Sequence, residues 1–221
     1  MSKSPKYRRS PQAAFATLLA LVAFGAVATV AIAATINGTA AADFLVGTSN
    51  DDTIRGFAGG DTIYGNAQDD FIRGDEGDDT IVGGSQDDEI QGNADNDTIE
   101  GDGADISCPF GAPSPNYCSS STAGKDGNDE ITGGPGNDII SGNGDDDDIF
   151  GNLGNDTLNG NDHDDEIVGG AGQDTIRGGA GDDDIEADDN EVDNITCNSG
   201  DDNVDRDPGL DIVAADCESL S

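Results

Sequence analysis

Aliphatic residues recur at every ninth position through most of this chain. Isoleucine or leucine occupies the repeated position fourteen times, at Leu45, Ile54, Ile63, Ile72, Ile81, Ile90, Ile99, Ile131, Ile140, Ile149, Leu158, Ile167, Ile176 and Ile185. A glycine stands seven residues before each of them, from Gly38 to Gly92 and from Gly124 to Gly178. A nine-residue period does not match the helical period of about 3.6, and Gly, Asn and Asp are poor helix formers. The pattern therefore excludes a helical repeat.

Each nine-residue unit divides into a turn and a short strand. Its first six positions are rich in Gly, Asn and Asp, which accept positive φ angles at low cost. Its last three positions, such as residues 53–55, suit a short strand. The middle side chain of such a strand points to one face of the sheet, and the two flanking side chains point to the other face. Two units form one coil of eighteen residues, with aliphatic side chains from two sheets meeting in a thin interior. The spacing predicts an all-β solenoid with repeat blocks over residues 34–100 and 124–186.

Acidic residues dominate the composition and exclude several classes of partner. The chain has 47 Asp and Glu against 9 Lys and Arg, for a formal net charge of −38. A nucleic-acid-binding protein needs basic residues to neutralise phosphate, so no nucleic-acid partner is expected. An anionic membrane surface is an equally poor partner, and cations are the favoured one. The low hydrophobic content alone would favour disorder, but an aliphatic residue at one phase of fourteen units indicates a folded repeat.

The repeated unit resembles that of the hemolysin-type calcium-binding family, G-G-x-G-x-D-x-U-x with U a large aliphatic residue. The best matches are residues 133–141, 169–177 and 178–186. The resemblance implies a right-handed parallel β-roll that holds several Ca²⁺ ions in the turns between successive coils. Asn replaces the second Gly in five units, and Asn tolerates the left-handed conformation that Gly adopts there. The first two units have weaker turns, so calcium binding there is in doubt and an N-terminal capping role is expected.

Aspartate occupies position six of all fourteen units, and these residues are the predicted calcium ligands. They are Asp43, Asp52, Asp61, Asp70, Asp79, Asp88, Asp97, Asp129, Asp138, Asp147, Asp156, Asp165, Asp174 and Asp183. Ca²⁺ takes six to eight oxygen ligands, and a glycine-rich turn offers carbonyls close to a short carboxylate. Because unneutralised carboxylates on stacked coils repel, the chain is expected to fold only when calcium binds.

A second acid stands at position five of many turns. These residues are Asp51, Asp69, Asp78, Asp87, Asp146, Asp164 and Asp182. One interpretation makes them supplementary or water-mediated ligands. The other makes them solvated surface acids.

The N-terminal residues 1–33 are typical of a secretory signal peptide. Four basic residues precede an apolar run, which ends in Ala31-Ile32-Ala33, a small-residue cleavage pattern. The chain is therefore expected to be secreted and extracellular. The alternative is a retained N-terminal membrane anchor at the cell surface.

Two segments interrupt the period, and each carries two cysteines. Residues 101–123 form an insertion with Cys108 and Cys118, interpreted either as a displayed recognition loop or as a tolerated surface insertion. Residues 187–221 continue the period after a one-residue slip and contain Cys197 and Cys217, which predicts a disulfide-tied C-terminal cap. Secretion favours the pairs Cys108–Cys118 and Cys197–Cys217, although four cysteines allow three pairings.

No constellation of catalytic residues is present, so the chain is not expected to be an enzyme or to have a small-molecule substrate. The one histidine, His163, stands at position four of a turn, where it replaces a glycine. The sequence predicts a secreted calcium-binding protein with a structural, adhesive or matrix role, acting at a cell surface or in a matrix. The alternative is a noncatalytic accessory module that binds a protein or glycan through the 101–123 loop.

Overall fold

The segments that the sequence predicts as strands form strands throughout the described part of the chain. A computed structural model describes residues 33–102, 127–217 and 219–220, all within one unit, Ala31–Ser221. Its strands are β1 Thr35–Asn37, β2 Phe44–Val46, β3 Thr53–Ala58, β4 Thr62–Ala67, β5 Phe71–Glu76, β6 Thr80–Ser85, β7 Glu89–Ala94, β8 Thr98–Asp102, β9 Glu130–Pro135, β10 Ile139–Asn143, β11 Asp148–Leu153, β12 Thr157–Asp162, β13 Glu166–Ala171, β14 Thr175–Ala180, β15 Asp184–Ala187, β16 Asn194–Ser199, β17 Asn203–Arg206, β18 Ile212–Val213 and β19 Ser219–Leu220. The described residues contain no helix, and hence no membrane-spanning helix.

Odd and even strands separate into two parallel sheets. The ten odd-numbered strands form one sheet and the nine even-numbered strands form the other, each in sequence order. Strands pair with the strand two places on, so that Ile54 stands beside Ile72 and Ile63 beside Ile81. Each coil therefore spans eighteen residues, as the period predicts. The described chain is a parallel β-roll.

The core is a double row of aliphatic side chains between the sheets. All fourteen predicted aliphatic residues are buried, from Leu45 at the N-terminal end to Ile185. Ile195 and Val204 extend the row into the predicted cap. Because each coil contributes only two such side chains, the interior is thin.

The two repeat blocks form one continuous solenoid. Strand β7 pairs with β9 and β8 pairs with β10, across the residues 103–126 that separate them. Gly101 packs against Asp129. It therefore occupies position one of this unit, which the sequence analysis assigned to Gly124. The unit therefore begins before the intervening segment and resumes after it, a continuity that the sequence analysis did not predict.

The predicted C-terminal cap carries a disulfide between Cys197 and Cys217. The one-residue slip is visible in the hydrogen bonds, because the N–H of Asp174 donates to Asp193, nineteen residues ahead. Cys197 is fully buried among the core residues, and β19 pairs with β17. The predicted pairing of these two cysteines is confirmed. The other predicted pair, Cys108 and Cys118, and nearly all of the predicted signal peptide lie outside the described residues.

Replacing both cap cysteines, Cys197→Ala with Cys217→Ala, is expected to destabilise the folded protein by roughly 3 kcal/mol. The bridge joins residues twenty apart and limits the freedom of that loop in the unfolded chain. Alanine suits the buried site of Cys197 better than a polar substitute. Urea denaturation followed by circular dichroism measures the loss, and an unchanged midpoint would show that the bridge adds no stability.

Candidate metal centre

The position-six aspartates form a hydrogen-bonded ladder along each edge of the roll. In the twelve of these aspartates from Asp61 to Asp183, Oδ1 accepts the backbone N–H of the position-six aspartate one coil earlier. Thus Asp70 donates to Asp88 at 2.8 Å, and Asp129 donates to Asp147 at 2.9 Å. The ladder crosses the 103–126 segment, where Asp88 donates to Asp129 at 2.7 Å. One carboxylate oxygen of each aspartate is therefore used to hold the coils in register.

The second oxygen, Oδ2, is buried without a hydrogen-bond partner in twelve of these aspartates. They are Asp61, Asp70, Asp79, Asp88, Asp97, Asp129, Asp138, Asp147, Asp156, Asp165, Asp174 and Asp183, each at most 3% exposed. A buried carboxylate oxygen without a partner is costly, and a native fold rarely leaves one unsatisfied. Twelve in one repeated place indicate that a ligand outside the polypeptide completes these turns.

Glycine at position one of each unit is required by this carboxylate. A Cβ atom built on Gly142 would stand 2.1 Å from Oδ2 of Asp147, and one on Gly160 would stand equally close to Asp165. No real Cβ tolerates such a contact, so the carboxylate fills the space that a side chain would need. The repeated Gly and Asp of the sequence are thus two halves of one site.

Burial raises the pKa of the central ladder aspartates far above the ordinary value of 3.8. The pKa of Asp88 rises to about 8, that of Asp129 to about 9 and that of Asp147 to about 8. Neighbouring carboxylates add to the effect, among them the buried Asp102. At neutral pH these sites therefore favour either a proton or a cation on the carboxylate.

The first two turns differ, because threonine satisfies their aspartates. Oδ2 of Asp43 accepts the N–H of Thr39 at 2.5 Å and its hydroxyl at 2.8 Å. Oδ2 of Asp52 likewise accepts the N–H of Thr48, whose hydroxyl donates to Oδ1 at 3.2 Å. These contacts support the expectation that the first two units are capping turns. The threonine at position two is the sequence signal that distinguishes them.

Backbone carbonyls must supply most of the ligands for a cation in these turns. Within the described residues, no three side chains of His, Cys, Asp or Glu come together as a metal-binding group. The turns instead bend through residues in the left-handed conformation that glycine favours. Asn66, Asn93, Asn143, Asn152 and Asn161 have φ between 80° and 93°, as expected for substitutes of glycine. His163 at position four also has a positive φ, of 81°. Oxygen donors of this kind, beside one short carboxylate, fit the preferences of Ca²⁺.

A second ladder, which the sequence analysis missed, runs along position five. The side-chain oxygen of Asp164 accepts the N–H of Asp182 at 2.8 Å, and that of Asn137 accepts the N–H of Asn155 at 2.7 Å. This ladder runs opposite to the first, from each turn back to the previous coil. All seven position-five aspartates are exposed at the surface. Asp, Asn or Gln at position five of twelve units was the signal for this ladder.

The position-five residues also distinguish the two edges. One edge presents Asp51, Asp69, Asp87, Asn128, Asp146, Asp164 and Asp182, while the other presents Ala42, Gly60, Asp78, Asn96, Asn137, Asn155 and Gln173. The first edge is therefore the more acidic of the two.

A family model for the RTX calcium-binding nonapeptide repeat matches residues 37–72, 73–105, 124–158 and 159–190. The chain belongs to this family. The four RTX segments cover more than half of the chain and contain all fourteen of the predicted ligands. No curated protein matches the chain closely. The RTX repeats identify the roll as a calcium-binding fold.

Proposed function

We propose that this RTX protein folds by binding calcium along both edges of its roll, and that twelve of the fourteen predicted aspartates are ligands. The observation that carries the proposal is the row of buried Oδ2 atoms without partners, from Asp61 to Asp183. Asp43 and Asp52 are outside the ligand set because Thr39 and Thr48 already satisfy their carboxylates.

The residues of each turn divide the work of holding a cation. Oδ1 of the aspartate accepts an N–H from the previous coil, which fixes the carboxylate in one orientation. Oδ2 is then presented beside the position-one glycine, and the carbonyl oxygen of the next coil's position-one glycine lies near the same point, as Gly83 does beside Gly65. A bound Ca²⁺ would supply the positive charge that these buried carboxylates lack. Because each ligand set joins adjacent coils, binding and folding are coupled.

We further propose that the chain acts outside the cell as a noncatalytic structural or adhesive component. The disulfide Cys197–Cys217 supports this location, because such bonds persist in oxidising compartments. Retention at the cell surface through residues 1–33 is the alternative form of the same proposal. The recognition role proposed for residues 101–123 stays a prediction, since most of that segment lies outside the described residues.

Neutralising one ladder residue tests the ligand assignment. Asp147→Asn keeps an acceptor for the N–H of Asp129 but removes the charge, so the calcium concentration at half-folding should rise by about tenfold or more. Asp146→Asn is the matched control, since it removes the same charge from the neighbouring exposed residue. It should leave the midpoint nearly unchanged. Far-UV circular dichroism gives the midpoint, and calorimetric titration counts the ions.

Equal effects of the two substitutions would overturn the ligand assignment, because they would show that only the overall charge matters. An unchanged ion count in Asp147→Asn, with a normal midpoint, would overturn it as well.

A further inference from the structure

The two sheets present outer faces of very different charge. On the ten-stranded sheet, the side chains flanking the core row include two bases, Arg55 and Arg73, and seven acids: Glu89, Glu130, Asp148, Glu166, Asp184, Glu186 and Asp205. On the nine-stranded sheet, the corresponding described side chains include one acid, Glu100, and one base, Arg177. We call this second surface the neutral face. In a chain of net charge −38, such a face is a specific feature of the sequence.

One column of the neutral face reads almost the same in both directions. In register order along the solenoid it is Phe44, Thr62, Thr80, Thr98, Ile139, Thr157, Thr175, Asn194 and Ile212. Apolar residues stand at the two ends and at the centre, with polar residues between them. Phe44, Ile139 and Ile212 are also among the most exposed large apolar side chains of the described chain.

We infer that the neutral face binds a second copy of this chain, with the two solenoids antiparallel. A twofold axis parallel to the strands places this column against itself in reverse order. Ile139 then meets Ile139 of the other copy at the axis, and Phe44 meets Ile212 at each end. Between them threonines face threonines, except that Thr62 faces Asn194. A twofold interface requires this kind of self-complementary surface.

The two charged side chains that flank the core row on the described neutral face support the same arrangement. Glu100 and Arg177 lie in the second outward column, in the fourth and seventh strands of the nine-stranded sheet. Reversal about the central strand, β10, places Glu100 opposite Asn159 of the other copy, one coil from that copy's Arg177. Coils are about 4.8 Å apart, within reach of both side chains. The dimer therefore contains two symmetric ion pairs.

Electrostatics favour a second copy on this face over the remainder of the surface. Two copies of so acidic a chain repel strongly, and the neutral face is the broad surface on which few acids oppose each other. The inference rests on the proposed calcium-dependent folding, because an unfolded chain has no such face. Bound calcium also lowers the net charge that opposes association.

Sedimentation equilibrium of the calcium-loaded protein tests this inference, with circular dichroism of the same samples to report folding. A mass twice that of the single chain is expected. A folded but monomeric protein at all concentrations would overturn the inference and leave the proposed function intact. A chain that stays unfolded in calcium would overturn both.

Substitutions at the axis locate the interface. Ile139→Lys places two lysines together and should raise the dimer dissociation constant by about tenfold or more. Leu153→Lys is the matched control, because Leu153 is 57% exposed against 52% for Ile139 but lies in the ten-stranded sheet. The assignment of the neutral face would be overturned if both variants weakened the dimer equally, or if neither variant weakened it.

A charge exchange tests the antiparallel arrangement itself. Glu100→Arg alone should weaken the dimer, since it brings two arginines together across the interface. Adding Arg177→Glu restores opposite charges and should recover the original dissociation constant. A double variant as weak as the single one would exclude the antiparallel register.

Discussion

Removing calcium at pH 8 is expected to unfold most of the roll. Without a cation, twelve buried carboxylates lack a partner for Oδ2, and successive ones lie on adjacent coils. The thin aliphatic core contributes only two large side chains per coil to offset them. Far-UV circular dichroism should show a loss of strand signal in chelator and its cooperative return with calcium. Magnesium should restore little, because its strict octahedral shell fits a carbonyl-rich turn poorly.

Lowering the pH should counteract the unfolding that the chelator causes. The ladder pKa values of about 8 to 9 at Asp88, Asp129 and Asp147 lie well above the ordinary 3.8. Between about pH 4 and pH 9 the folded, metal-free chain therefore binds more protons than the unfolded chain, so its stability falls as pH rises. The metal-free chain should have more strand structure at pH 5 than at pH 8. With calcium present, protons compete for the same oxygens, so the calcium midpoint should rise as pH falls.

A chain with full strand content in chelator at pH 8 would contradict this account. The hydrogen-bonded ladders and the disulfide would then suffice for folding, and the buried carboxylates would need another source of compensation.

The substitution Gly160→Ala should be among the most destabilising replacements of a glycine by alanine in the protein. Its Cβ would lie 2.1 Å from Oδ2 of Asp165 and 2.8 Å from the carbonyl oxygen of Gly178. The carboxylate must move away, which costs about 3 kcal/mol or more in strain and removes the local ion site. Urea denaturation in saturating calcium and calorimetric ion counting should both record the loss.

Gly209→Ala is the control for this substitution. No atom lies within 4 Å of the added Cβ there, although the φ of 93° costs an alanine roughly 1–2 kcal/mol. A loss for Gly160→Ala no larger than for Gly209→Ala would show that the glycine–carboxylate contact is not restrictive.

The periodic features of the fold could be predicted from the sequence because they depend on local spacing. The nine-residue period placed Ile54 and Ile63 in opposite sheets, and the structure confirms both their burial and their register. The cap disulfide followed from where Cys197 and Cys217 stand relative to the last coil. These predictions needed only the rule that each coil repeats its predecessor.

The features that were missed depend on contacts between coils. Gly124 fits the period as well as Gly101 does, and only the contact with Asp129 shows which glycine begins the unit. Thr39 satisfies the carboxylate of Asp43 because its N–H points toward Oδ2. That direction depends on the backbone path of the turn. The position-five residues recur visibly in the sequence, but the hydrogen bond from the N–H of Asp182 to Asp164 depends on the contact between adjacent coils.

The described residues on either side of positions 103–126, Asp102 and Gly127, offer a site for protein engineering. Asp102 accepts the N–H of Gly127 at 3.2 Å, so the two ends of the segment are joined at the roll's edge. Strands on both sides keep their pairing although 41 residues, instead of 18, separate Asp88 from Asp129. A foreign domain whose termini lie close together can therefore be grafted between these two residues. The roll would then act as a calcium-controlled carrier for that domain.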